Sequence, residues 1–184
     1  MNSIQTMYGP VPQSVFEKLA TAKLLVCDVD GIFSDGRIYL GNDGEEYKAF
    51  HTRDGYGVKA LLKNGIQVAV ITGRQSNIVQ QRMSALGIAH IIQGTEHKKE
   101  AMHRLLQELS ITSEEAVAMG DDMPDLGLYE LAGVKVCIPD GHPFMQEKAD
   151  YVTRCQGGFG AVREICDLIL QANGLLSGIQ SSSV

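Results

Sequence analysis

Two short acidic clusters stand out in the chain: Asp28-Val29-Asp30-Gly31, and Gly120-Asp121-Asp122-Met123-Pro124-Asp125. Each follows an apolar run, Leu24 to Cys27 in the first case and Ala116 to Met119 in the second, so each sits where a buried strand would end. Thr72, directly after Val68-Ala69-Val70-Ile71, holds the same kind of position. Lys98 opens a helical pattern that follows the short run His90 to Ile92. Five carboxylates brought to one rim would repel one another, and such an arrangement persists only where a cation or shared protons offset the repulsion. A ligand set built from oxygens suits Mg²⁺, which takes one or two carboxylates, phosphate oxygens and water. Lys98 adds an independent hint, because a cation in the first turn of a helix opposes the macrodipole at a cost of roughly a few tenths of a kcal/mol, and a bound anion reverses that sign. Thr72 offers its hydroxyl and its backbone N–H to the same anion, and the helix start that follows adds further amides.

The elements that must position these residues follow from periodicity. Lys23 to Val29 reads as a buried strand, after a lead containing Pro10 and Pro12 and a short amphipathic stretch with Val15, Phe16 and Leu19. Arg37 to Leu40 and Glu45 to Phe50 alternate around a Gly41-Asn42-Asp43-Gly44 turn, which predicts a hairpin insertion over 36–50. Helices are expected at about 54–63, 76–86, 96–109 and 123–131, strands at 66–71, 90–92, 116–119 and 134–138, and a last helix carries Val162, Ile165, Cys166 and Ile169. Strands alternating with helices require crossover connections, so the fold class is α/β: a Rossmann-like parallel sheet flanked by helices. The four chemical positions then share one edge of that sheet, where ligands of open α/β folds bind. Thr72 to Lys98 holds only a helix and a short strand, and the hairpin is the one insertion after Asp30, so no large cap domain is expected. The Gly- and Ser-containing end, 173–184, is expected to be a flexible tail.

At 184 residues the chain suits one domain, 1–184, and its 44% apolar and 21% charged content is ordinary for a globular protein. A net charge of -6 without a basic tract argues against a nucleic-acid partner, and any anionic ligand must be held by local cations. No run is apolar and long enough for a membrane span, and the N-terminal residues lack a signal-peptide pattern, which points to a cytoplasmic location. Cys27, Cys137, Cys155 and Cys166 lack metal-site spacing and are expected to be reduced. Blander readings fail on particular residues. An EF-hand needs Gly where Phe33 stands, and Gly55-Tyr56-Gly57 follows the charged pair Arg53-Asp54 instead of a strand end, unlike a dinucleotide loop. His97, His103 and His142 have no ligand spacing, and Asp35 and Asp43 read as turn residues.

In order and spacing, Asp28-x-Asp30-Gly31, Ile71-Thr72-Gly73, Lys98 and Gly120-Asp121-Asp122-x-x-Asp125 resemble the four motifs of the haloacid dehalogenase superfamily. Arg53-Asp54-Gly55-Tyr56-Gly57, Ala149-Asp150-Tyr151-Val152-Thr153 and Gly157-Gly158-x-Gly160-Ala161-Val162-Arg163-Glu164 extend the resemblance to its branch of 3-deoxy-D-manno-octulosonate 8-phosphate (KDO 8-phosphate) phosphatases. The resemblance implies covalent phosphoester hydrolysis in lipopolysaccharide precursor synthesis. Asp28 would be the nucleophile, Asp30 the general acid and base, and Lys98 and Thr72 a phosphate clamp, with Mg²⁺ held by Asp28, the Asp30 carbonyl and Asp121. Asp125 would orient Lys98 or a metal-bound water. Substrate contacts carried over from the same branch fall on His51, Thr52, Arg53, Asp54, Gly55, Lys59, Arg74, Arg82, Lys98 and Asp122, with a small phosphorylated sugar acid as the partner. His51-Thr52 departs from the Asn-Val expected there. Alternatives within the chemistry are nine-carbon sugar-acid phosphates such as N-acylneuraminate 9-phosphate; an alternative outside it is an idle oligomeric scaffold. The resemblance also implies a homotetramer packed through the hairpin, with the tail residues Leu175, Leu176 and Ile179 covering a neighbour's site.

Overall fold

The computed structural model describes residues 2–176. The chain opens with an antiparallel pair, β1 (Ser3–Thr6) and β2 (Gly9–Pro12), and a short helix, α1 (Gln13–Leu19). The central strand β3 (Leu24–Cys27) follows, then a two-stranded arm, β4 (Tyr39–Leu40) and β5 (Glu46–Tyr47). Next come α2 (Thr52–Lys63), β6 (Gln67–Ile71), α3 (Asn77–Ala85), β7 (His90–Ile92), α4 (Lys98–Leu109), β8 (Ala116–Met119) and α5 (Leu126–Tyr129). The chain closes with β9 (Val134–Cys137), α6 (Pro143–Lys148), β10 (Tyr151–Val152) and α7 (Ala161–Ala172). Among the described residues no helix is long and apolar enough to cross a membrane.

Six strands form one parallel sheet in the order β10-β9-β8-β3-β6-β7. From β3 the chain first winds outward through β6 to β7, then returns to the other side through β8 to β10. The order therefore reverses at β3, and its carboxyl end, flanked by those of β6 and β8, is the topological switch point where ligands bind in such folds. Both faces of the sheet are covered, which explains why β3 reads as an unbroken apolar run. Leu25 and Cys27 pack with Val15, Leu19, Val58, Leu61, Met83 and Ile165, whereas Leu24 and Val26 pack with Met102, Leu105, Leu128 and Met145. The helices thus divide as α1, α2, α3 and α7 on one face, and α4, α5 and α6 on the other.

Several elements differ from the expected ones. The Pro-containing lead is a hairpin, because Gly9 (φ 93°) closes the turn after Thr6 and Pro10 and Pro12 tolerate an edge that needs few N–H donors. The helix expected at 123–131 is a 3₁₀ turn, Met123–Asp125, followed by the single turn of α5. α6 and β10 escaped the periodicity reading, being six and two residues long. Of the tail, 173–176 is described: Leu175 N donates to Leu170 O (2.8 Å), and Leu175 and Leu176 pack on the core. Ile179 lies outside the described residues.

Candidate active site

Asp28 prolongs β3 by one residue, its N–H donating to Met119 O of β8 (3.0 Å), and its side chain enters a cleft of about 630 Å³ at the switch point. Asp30, Thr72, Arg74, Lys98, Asp121, Asp122 and Asp125 line the same cleft. Lys98 is 4% exposed; its ammonium donates to Asp28 Oδ1 (2.9 Å) and Asp125 Oδ1 (2.7 Å). The other oxygen of Asp125 accepts from the backbone of Asp121 (3.0 Å) and Asp122 (3.3 Å), so this residue fixes both the loop and the lysine. Asp122 caps the following turn, accepting from Met123 N (2.7 Å). Two glycines make room for this crowd: a Cβ on Gly31 would lie 2.2 Å from Asp121 Oδ2, and one on Gly120 would lie 2.4 Å from the Asp125 Cβ.

The electrostatics match the geometry. Burial first, then the charge of Asp125, push Asp28 up to about 6 against the pull of Lys98. Burial, followed by Asp125 and Asp28, pushes Asp121 up to about 8. Burial lowers the Lys98 pKa, but its two carboxylate partners outweigh that and leave it above its ordinary value.

Thr72 is buried at the end of β6, but its N–H donates to Ile92 O of β7 (2.9 Å). The expectation that both its hydroxyl and its N–H serve an anion is therefore corrected: the sheet ladder takes the N–H and leaves the hydroxyl. Ser76 N, in the turn before α3, is likewise taken by Gln93 Oε1 (2.9 Å).

Of the expected substrate contacts, Arg74, Lys98 and Asp122 line the cleft, whereas His51, Thr52, Arg53, Asp54, Gly55, Lys59 and Arg82 are not among its walls. His51 caps α2, its Nδ1 accepting from Arg53 N (3.1 Å). Asp54 is buried beneath α7 and accepts from Arg163 N (2.8 Å), a cap supplied from a distant part of the chain. Burial raises its carboxyl to about 6, against the N–H of Arg163 and the charge of Arg53. Two residues absent from the expected site join Asp30 from the arm: Lys48 Nζ lies 2.5 Å from Asp30 Oδ1, and Glu46 Oε1 lies 3.0 Å from the same ammonium. The readable signal was their spacing, two apart in an extended run, which puts both side chains on one side.

The sequence model of haloacid dehalogenase-like hydrolases matches residues 83–165. The 3-deoxy-D-manno-octulosonate 8-phosphate phosphatase of Yersinia pestis is 48% identical over 181 residues, covering 98% of this chain and 97% of that protein. The chain belongs to the haloacid dehalogenase-like hydrolases. A crystal structure of the Yersinia pestis phosphatase superposes with a TM-score of 0.97 at 47% identity, covering 100% of this chain and 99% of that one. A second, from Moraxella catarrhalis, was solved with magnesium, phosphate and KDO; it gives a TM-score of 0.89 at 42% identity and covers 91% and 96% of the two chains.

The Moraxella catarrhalis structure holds a magnesium ion, and the residues at this rim fit a divalent cation. Asp28, Asp121 and Asp125 each bring a carboxylate oxygen within 4.8 Å of the others. Asp125 is committed to Lys98 and to two amides, which leaves Asp28 and Asp121 as the carboxylates able to turn to a metal. Half-buried Asp121, whose carboxyl is raised to about 8 by burial and by the charges of Asp125 and Asp28, is a site where Mg²⁺ would offset that repulsion.

Proposed function

We propose that this hydrolase releases inorganic phosphate from KDO 8-phosphate through a phosphoenzyme on Asp28. The observation that carries the reading is the convergence of Asp28, Asp30, Thr72, Lys98 and Asp121 on one cleft at the switch point. Its relatives from Yersinia pestis and Moraxella catarrhalis, named for that substrate, support the choice of sugar. Mg²⁺ bound by Asp28, Asp121 and the Asp30 carbonyl supplies positive charge to the phosphoryl oxygens. Lys98 and the Thr72 hydroxyl hold the same group. An Asp28 carboxylate oxygen bonds to phosphorus as the bond to the sugar oxygen breaks, and Asp30 gives that oxygen its proton. Water then attacks the aspartyl phosphate, Asp30 takes back a proton, and phosphate leaves with Asp28 restored. Arg74, which opens into the cleft, is the local cation for the substrate's carboxylate. His51 to Gly55, Lys59 and Arg82 lie away from the cleft, so a substrate role for them needs a second copy of the chain beside it.

The test is phosphate release from KDO 8-phosphate in Mg²⁺ and in EDTA, beside N-acylneuraminate 9-phosphate. We expect metal-dependent release and at least about a tenfold higher kcat/KM for the eight-carbon ester, a difference near 1.4 kcal/mol. Preference for the nine-carbon ester would overturn the substrate, and release unaffected by EDTA would overturn the metal.

We also place the enzyme in the cytoplasm, where the four cysteines, all unpaired, stay reduced. Its arm supports self-assembly as a homotetramer: Leu40 is 72% and Tyr47 55% exposed, with Ile38 and Tyr39 beside them. A two-stranded arm of this length is marginal alone, and apolar side chains at this density need a partner. Sedimentation should give four times the chain mass, and Leu40→Glu with Tyr47→Glu should lower it. A wild-type monomer at micromolar concentration would end that reading.

A further inference from the structure

Lys48 is unusual for a lysine on a hairpin arm, because its side chain is 0% exposed. Burying an ammonium is costly unless its charge is answered, and here two carboxylates answer it, Asp30 Oδ1 at 2.5 Å and Glu46 Oε1 at 3.0 Å. Arg74 completes a ring from the far side, with Nη2 2.5 Å from Glu46 Oε2 and Nε 3.8 Å from Asp30 Oδ2. Ser34 Oγ stands 3.5 Å from Asp30 Oδ1. The ring of alternating charge joins three separate pieces of chain: the loop after β3, the arm, and the turn after β6.

A lysine that only anchored the arm could pair with any surface carboxylate. This one is bonded to the residue that must hand a proton to the leaving oxygen, and it occupies one carboxyl oxygen. The ammonium occupies Oδ1, which leaves Oδ2, 3.8 Å from Arg74 Nε, as the carboxyl oxygen free to meet the leaving group. We propose that Lys48 is a positioning residue for proton transfer by Asp30, held in place by Glu46. The proposal rests on the phosphatase reading above.

Leaving-group chemistry separates this role from simple anchoring. A sugar alkoxide is a poor leaving group and needs Asp30's proton as the P–O bond breaks, whereas p-nitrophenolate departs without one. The full-length protein in Mg²⁺ should be assayed with KDO 8-phosphate and p-nitrophenyl phosphate, comparing wild type, Lys48→Met and Glu46→Gln, with Asp30→Asn as the reference for lost acid catalysis. General acid catalysis contributes about 10²-fold or more, so Lys48→Met should lower kcat on the sugar ester about 100-fold and on the aryl ester less than about threefold, with KM for the sugar ester little changed. Glu46→Gln should show the same selectivity at about tenfold, and it decides the matter if thermal melting shows that Lys48→Met has not folded. Equal losses on both esters, or no loss, would overturn the proposal while leaving the phosphatase reading in place. A wild type inactive on both esters would overturn that reading and this one together.

Discussion

Asp28→Asn should release phosphate from KDO 8-phosphate at least about 10⁴-fold more slowly than wild type, while folding as well as it does. The activity follows from chemistry, since an amide is too weak a nucleophile to build the phosphoenzyme. The folding follows from the structure. Asp28 is 8% exposed, and burial together with the charge of Asp125 already raises its carboxyl to about 6, so the native state holds that negative charge reluctantly. Asparagine keeps the shape and an oxygen for the Lys98 ammonium, which lies 2.9 Å from Oδ1, while removing one charge from the rim. Phosphate release and a thermal melt on the same sample check both halves. Residual activity within about 100-fold of wild type would exclude Asp28 as the nucleophile. A cellular role that survived the substitution would favour an oligomeric scaffold over an enzyme.

How much of this was legible in the sequence depends on how local the cause is. The apolar runs of β3 and β6 are followed at once by Asp28 and Thr72 and that of β8 by Gly120-Asp121, so these positions were readable, and the sheet that gathers them followed from alternation of strand and helix. Lys98 was readable because a cation at a helix start opposes the dipole; its two carboxylate partners explain the exception. What stayed hidden rests on contacts far apart in the chain. Tyr8 ties the N-terminal hairpin to α7 by donating to Asp167 Oδ2, 159 residues away. Gly157 belongs to a motif visible in the sequence, but its physical reason is that a Cβ there would lie 1.6 Å from Gly31 O, under the loop that carries Asp30. The burial of Asp54 under α7 is of the same kind, since nothing near residue 54 announces a helix start at Gly160.

Lys98→Met should cost both chemistry and stability, unlike Asp28→Asn. The ammonium is the one cation within hydrogen-bond reach of both Asp28 and Asp125 among the described residues, and all three groups are buried. Removing one partner of a buried ion pair typically costs about 3–5 kcal/mol, because the remaining charges lose their compensation. Asp125 cannot turn to solvent in response, since its second oxygen holds the amides of Asp121 and Asp122; disturbing it moves the loop that carries the metal-facing carboxylate. We therefore expect kcat to fall about 10³-fold, as for loss of a donor to the reacting group, together with a clearly lower melting temperature. Adding Asp125→Asn to Lys98→Met separates the two effects. The double variant loses one of the uncompensated carboxylates and should regain much of the melting temperature, yet its kcat should stay as low, because no cation meets the phosphoryl group from that side. A single variant that melts with wild type would show that the pair carries no stability. A double variant that regained activity would show that Lys98 works only by neutralising Asp125, and would remove it from the phosphate clamp.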